Sequence, residues 1–315
     1  MERNILAGVE PFNRTISRSC YYNQLMSGLG ALGINGSDLA LCEFLYIDNN
    51  FKTNMFCQPD SVIVGKWLGY RIKHTNVNAE KLMKYIDAGC PVILGVDCFD
   101  LPWRTELYLN VHSNHFLLVY GYDVKTKEAH VVEHFFANSA DFRKYVVPLE
   151  ALLAANDKFR RLICTKRTAS MVITPGKRSG RKDILAMICA GKEKLLKSRK
   201  NIQNNIFQAN RMLSGGEESI KGNYILLKTF FEELKNSRSR LLCTRIMEIH
   251  TEMSAVLEEL VSIYNMFAAM FFKMFKNADY AVTAERMDNI RRRLTRAAEL
   301  ESKFFEILAE VNAHE

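Results

Sequence analysis

The chain is poor in proline, with only six in 315 residues, and none follows Pro175. A second half without this helix breaker excludes a loop-rich or PPII-rich region and admits long helices. Tryptophan is scarce as well, at two residues. The eight cysteines, Cys20, Cys42, Cys57, Cys90, Cys98, Cys164, Cys189 and Cys243, show no C-x-x-C spacing. That pattern argues against a structural zinc site or a disulfide framework and makes most of them apolar fillers of a reduced chain. Apolar runs are broken by charges well before the ~18 residues a membrane span requires. The start, Met1-Glu2-Arg3-Asn4, has no apolar core of a signal peptide. The expectation is therefore a cytoplasmic chain with no membrane contact.

What is present is 48% hydrophobic and 25% charged residues, with a formal charge of +8. That is an ordinary globular balance. The length suits two domains. The positive charge favours an acidic partner, nucleic acid or an acidic carrier protein. Nucleic acid is the weaker fit, since the basic runs lack interleaved aromatics.

The two halves differ in texture. Residues 1–175 mix strands and helices and read as an α+β domain. Ser61–Val64, Trp67–Ile72 and Pro91–Asp97 are apolar strand-like runs. His115–Tyr122 and Ala129–His134 read as antiparallel strands around the polar loop Asp123–Glu128. Arg160–Cys164 and Ala169–Ile173 read as edge strands. Cys20–Leu32 is expected to be helical with Gly33 as its C-cap. Asn78–Ala88 is expected to be a helix capped by Asn78 and stopped by Gly89, and Pro148–Ala155 a shorter one. The turn-rich basic segment at about 174–182 reads as the linker. Residues 183–315 read as an all-helical bundle with helices near 183–213, 223–236, 238–276 and 283–311. Ile246, Ile249, Met253, Val256, Leu257, Leu260 and Ile263 with Tyr264 form one apolar stripe. Met266–Phe275 is apolar nearly all round, which fits a core or a homodimer face.

Chemistry concentrates on Cys20 and His115. A thiol in the first turn of a helix feels the positive end of the dipole, which lowers its pKa. The Cys20 backbone N–H is unpaired there and free to serve an oxyanion. His115 opens a strand and is a candidate base. A buried structural cysteine and a satisfied core histidine are the plain alternatives. A Cys–His pair needs a third group to orient the imidazole. Folding the strands back at Lys125-Thr126 brings Glu133 beside His115. Asp123 sits at the far end, where its expected role is turn capping. His112, His130 and His134 suggest no metal-ligand spacing, so no metal is expected.

Three stretches resemble one family. They are Cys20–Met26 running to Leu32-Gly33-Ile34 and Ser37-Asp38-Leu39, Pro91–Asp97 with Cys98-Phe99-Asp100-Leu101-Pro102-Trp103, and Asn114–Asp123 with Val131-Val132-Glu133. Together they resemble the N-terminal domain of the butirosin biosynthesis acyltransferases, which implies a papain-like, cysteine-protease-like fold over the first half. The resemblance implies an acyl-thioester substrate, with Cys20 as nucleophile, His115 as base and Glu133 as the orienting acid. Related cysteine enzymes carry Asp or Asn at that last position. Asn13 is the stand-in for the glutamine that papain-like enzymes use at the oxyanion. Asp97 and Trp103 are expected near the pocket, Asp97 with turn capping as its other reading.

The function expected is therefore cysteine-dependent transfer of an acyl group to an amine or similar small-molecule acceptor in secondary metabolism. The donor is the phosphopantetheine thioester of an acidic acyl or peptidyl carrier protein, and no cofactor is bound. Lys177, Arg178, Arg181, Lys182 and Arg291-Arg292-Arg293 would steer docking. The rivals are a peptidase, amidase or thioester hydrolase with the same triad, and a catalytically silent binding protein.

Overall fold

The computed structural model describes residues 2–13, 20–36, 65, 68–134, 141–162, 169–176, 199–200, 203–204, 206–242, 251–276 and 283–310. The strand expected at 61–64, the hydroxyls before Cys20, the basic linker residues and most of the helix near 183–213 lie outside them. The chain divides into two compact units: Met1–Leu39 with Gln58–Arg181, and Ala40–Cys57 with Lys182–Glu315.

The first unit is α+β, built on one antiparallel seven-stranded sheet. Its strands are β1 (Arg3–Ile5), β2 (Tyr70–Thr75), β3 (Val92–Asp97), β4 (Asn114–Asp123), β5 (Glu128–His134), β6 (Phe142–Pro148) and β7 (Ser170–Pro175). The order is β2-β7-β3-β4-β5-β6, with β1 paired to β4. Three helices accompany it, α1 (Cys20–Leu29), α2 (Ala79–Asp87) and α3 (Leu149–Leu162). Strand β3 is buried along its whole length. Burial on both faces explains its unbroken apolar run. Leu82 and Ile86 of α2 and Leu152 and Ala155 of α3 close a core over Val92, Leu94, Val96, Leu117, Val119 and Val131.

Local chemistry sets the helix ends. Asn78 caps α2, its side chain accepting from the Lys81 N–H at 2.9 Å. Such a cap satisfies one of the donors that a helix start leaves unpaired. Gly89, beyond the end of α2, takes the positive φ that a side chain would oppose. Helix α1 tightens after Leu29 into a 3₁₀ turn over Gly30–Leu32, closed by Gly33 in the left-handed conformation. Asp123 accepts from the Lys125 and Thr126 N–H groups, the turn-capping role its position suggests.

Three expectations are corrected. Residues 160–162 end α3 rather than form an edge strand, because Leu152, Ala155 and Phe159 carry a helical stripe onto the sheet. Helix α3 therefore runs past Ala155 to Leu162. The run from Ala169 to Ile173 does not sit on the edge. Strand β7 lies between β2 and β3, which its buried residues 170–173 require.

Gly30 and Gly8 pack back to back. A Cβ on Gly30 would stand 1.9 Å from the Gly8 carbonyl oxygen, a backbone atom with little freedom to retreat. Gly30→Ala is expected to destabilise the first unit by about 1–3 kcal/mol, read as a lower denaturant midpoint with unchanged slope.

The second unit is helical. Its long helices are α4 (Gly216–Leu242), α5 (Thr251–Lys276) and α6 (Ala284–Glu310). Helix α4 runs unbroken through Asn236-Ser237-Arg238, where the sequence reading places a boundary. The reason is Arg238, which turns into the bundle and pairs with Glu301 through Nε at 2.9 Å and Nη2 at 2.7 Å. Tyr264 donates its hydroxyl to the same carboxylate at 2.8 Å. All three are buried. The stripe Met253, Val256, Leu257, Leu260, Ile263 and Tyr264 is core, as are Phe267 and Phe271, which pack on Phe231. Phe272 remains 43% exposed. By length and composition Thr251–Met274 is apolar enough to cross a membrane, the one such helix among the described residues. The interrupted-run argument overlooks it because Glu258 and Glu259 are the only charges in its middle. Its buried stripe packs against α4 and α6, as the core helix of a bundle does.

Candidate active site

Strands β4 and β5 pair in register from Asp123↔Glu128 to Leu118↔Val132, with a bulge between Val119 and Gly121, and their ladder stops there. Strand β5 continues on its other side, where Glu133 pairs with Arg143 and His134 with Phe142. The two strands thus part as a fork. Into it comes the first turn of α1. The Phe116 N–H donates to Cys20 Sγ at 3.3 Å, and the Phe116 carbonyl accepts from Gln24 Nε2 at 3.3 Å. Backbone groups that a longer ladder would have consumed hold the helix start instead.

Across the same fork His115 and Glu133 face each other. His115 Nε2 lies 2.5 Å from Glu133 Oε1. With that nitrogen engaged, Nδ1 is the one left to the hydrogen bond that His115 makes with Cys20. Both His115 and Glu133 are buried, while Cys20 is half-buried. Glu133 Oε1 also accepts from Arg104 Nη1 at 3.1 Å and from the His134 N–H at 2.7 Å. Oε2 has no partner among the described residues.

The electrostatics follow from this packing. Burial pushes the Cys20 thiol up, but the hydrogen bond and charge of His115, with the Phe116 and Tyr21 N–H groups, outweigh it and bring it below its ordinary value. Burial works against the His115 cation too, yet the Glu133 charge and the bond to Cys20 raise it to about 10. Glu133, opposed by burial, is held below the usual carboxylate range chiefly by His115 and then Arg104. All three directions favour the charged forms, thiolate, imidazolium and carboxylate, in a row. By contrast, burial pushes the Cys98 thiol up to about 12. Burial and the neighbouring His115 charge bring His134 down to about 4, so that ring is neutral beside the imidazolium, with centroids 5.0 Å apart.

His115, Glu133 and His134 also bring ligand atoms within 4.8 Å of one another. The carboxylate oxygen that faces His115 already serves an imidazole, a guanidinium and a backbone N–H. That oxygen is engaged in a proton network, while Oε2 is the carboxylate atom without a partner among the described residues.

The remaining sequence candidates lie elsewhere. Asn13 is paired at both ends with the Phe142 backbone, donating to its carbonyl at 2.8 Å and accepting its N–H at 2.9 Å. It therefore straps the N-terminal segment to β6 rather than serving an oxyanion. Asp97 accepts from the N–H groups of Phe99 and Ser113 and lies 2.7 Å from His112 Nδ1. This is its turn-capping reading. Trp103 packs against the core, and its buried Nε1 has no partner among the described residues. Arg104, beside it, is the site member the sequence reading missed; with nearby Glu106 it reads as an ordinary surface charge pair.

Residues 66–134 match the family model described as Butirosin biosynthesis protein H, N-terminal. The resemblance seen in the sequence is borne out over these residues, which include Asp97, Trp103, Arg104, His115 and Glu133; Cys20 precedes them. No curated protein matches the chain.

Proposed function

We propose that the first unit is a papain-like cysteine acyltransferase acting in a biosynthetic route, of the kind the matched family's name denotes, with a carrier-protein thioester as donor. The observation that carries this is the row Cys20–His115–Glu133 at the strand fork. The papain-like reading is supported by the same layout, a cysteine at a helix start against a histidine on an antiparallel strand.

The reaction balances as two acyl exchanges. The Cys20 thiolate attacks the thioester carbonyl carbon, and the oxyanion formed takes hydrogen bonds from backbone N–H groups at the helix start. The tetrahedral species collapses by breaking the donor C–S bond, and the His115 imidazolium gives its proton to the departing pantetheine thiolate. The acyl group now rests on Cys20. An amine then attacks the same carbon while neutral His115 takes its proton, and the Cys20 thiolate leaves, restoring the pair. Exchanging one sulfur ester for another costs little, so the second step decides the product, and excluding water favours the amide. The exposed Arg291, Arg292 and Arg293 of the second unit offer positive charge to an acidic carrier protein.

Incubation with acyl-pantetheine thioesters, with and without amines, tests the reading. An acyl adduct on Cys20 that amines discharge to amides is the expected result. Discharge to free acid at a rate no amine alters identifies a thioester hydrolase instead.

The thiol itself gives a second, substrate-free check. Iodoacetamide reacts with thiolates, so Cys20 is expected to label at pH 6 at least ~10-fold faster than Cys98, whose thiol stays protonated there. Equal labelling, read by peptide mass, removes the nucleophile.

A further inference from the structure

We propose that Arg104 is a positioning residue of this row: its guanidinium keeps Glu133 ionised and balances the buried charge of the thiolate form. The inference rests on the reading of Cys20 as the nucleophile.

The charge count comes first. Thiolate, imidazolium and carboxylate together carry one net negative charge. An uncompensated charge in a buried site is expensive, and the cheapest relief is a proton on the sulfur or on Glu133. Either ends the resting state that attack requires. A guanidinium added to the row brings the sum of these four groups to zero, and it does not lose its proton at any working pH; Glu106, its other partner, is partly exposed and screened by water.

The geometry places Arg104 to do this. It is only 3% exposed. Such burial is unusual for an arginine. Nη1 meets the same Glu133 oxygen that His115 uses, so the guanidinium and the imidazole are aligned through one atom. Its other end is fixed by Nε donating to Glu106 Oε1 at 2.8 Å, on the solvent side. The backbone is pinned too: the Arg104 N–H donates to the Leu101 carbonyl, and the Leu107 and Tyr108 N–H groups donate to the Arg104 carbonyl.

No neighbour among the described residues substitutes for it. The other titratable groups around the row are Cys98, Asp97, His134, Tyr145, Glu106 and Arg143; Arg143 stands opposite Glu133 in the β5–β6 register, but it is exposed and its guanidinium is bound to Asp141. Cys98 and Tyr145 are pushed up by burial and stay neutral, His134 is neutral above about 4, and Asp97 and Glu106 are acids. Arg104 is therefore the cation that offsets the second negative charge.

The test is the pH dependence of Cys20 alkylation in the full chain, measured from pH 4.5 to 9 for the wild type, Arg104→Met and Arg104→Lys, with circular dichroism confirming the fold. Arg104→Met is expected to move the acid limb up by about one pH unit, so that labelling at any pH below both midpoints falls about tenfold. Arg104→Lys, which keeps the charge, is expected to hold within about threefold of wild type. Arg104→Gln, which keeps a donor toward Glu133 without the charge, replaces the methionine variant if that one does not fold, with the same expected shift. A folded, uncharged variant with an unchanged pH profile overturns the proposal and leaves Arg104 a structural prop, as does a lysine variant shifted as far as the uncharged one. A wild-type profile with no limb below the ordinary thiol range fails the nucleophile reading itself, and Arg104's role falls with it.

Discussion

Cys20→Ala is expected to reduce acyl transfer by at least ~10³-fold and to remove the acyl adduct altogether. The size follows from what is lost. Without the sulfur no covalent intermediate forms, and the amine must attack the carrier thioester directly, with only binding and backbone N–H groups to help. Thioesters react slowly with amines unaided, so a residual rate is expected rather than zero. Cys20 is half-buried at a helix start. Alanine there is a good helix former and removes little packing, so the variant should fold as the wild type does. Intact-protein mass after incubation with an acyl-pantetheine is the measurement. An adduct persisting in Cys20→Ala, or transfer within a few-fold of wild type, would falsify the assignment and send the search to another thiol.

The second large effect is at Glu133, where activity and stability separate. Glu133→Ala leaves the Arg104 cation and the His115 ring buried without their acceptor. Breaking a buried pair in this way costs about 3–5 kcal/mol, enough to unfold many domains of this size. Glu133→Gln keeps one carbonyl acceptor and the shape but not the charge. It is expected to fold, with transfer reduced about 10²–10⁴-fold, since the imidazolium loses its counter-charge. The pH dependence distinguishes the two roles. His115, raised to about 10, contributes stability that is fully present below its unfolded value of 6.5 and is lost as pH rises through about 10. Glu133, lowered, contributes stability present above 4.5 and lost as pH falls through its folded value. Thermal unfolding of the wild type should therefore show a stability plateau falling on both sides, and Glu133→Gln should flatten both shoulders. A variant whose stability follows pH as the wild type does would show that the Glu133 charge is not what the histidine responds to.

Much of this was legible in the chain. The strands around Asp123–Glu128, the Asn78 cap and the apolar stripe from Met253 to Tyr264 follow from periodicity and turn chemistry alone, because each is decided by residues close in sequence. The nearness of Glu133 to His115 was readable in outline, since a hairpin brings the far ends of its strands together, but the register itself ends at Leu118↔Val132 and does not set the two residues opposite each other. What was not readable is decided at long range. Strand β7 inserts between β2 and β3, and nothing near Ser170 encodes its neighbours. Asn13 is spoken for by Phe142, a residue far along the chain, which no local pattern signals. Arg104 gave no signal because its local partner Glu106 suggests a surface pair, while the acceptor that buries it, Glu133, is supplied by a distant strand. Arg238 misled in the same manner: read locally it suggested a helix boundary, while Glu301 makes it a core residue.

The parting of β4 and β5 has a mechanical consequence. Two strands joined up to Leu118 and Val132 and open beyond are a zipper whose slider has been stopped. Further travel would pair Phe116 with strand backbone and evict the sulfur, while retreat would draw His115 from Glu133. Just beyond the stop lies the side-chain bond between those two residues, 2.5 Å long. Alignment of the Cys20–His115–Glu133 row is thus a matter of where a seam ends, and a change along β4 or β5 that shifts the seam by one tooth would misalign the row without touching any of its members.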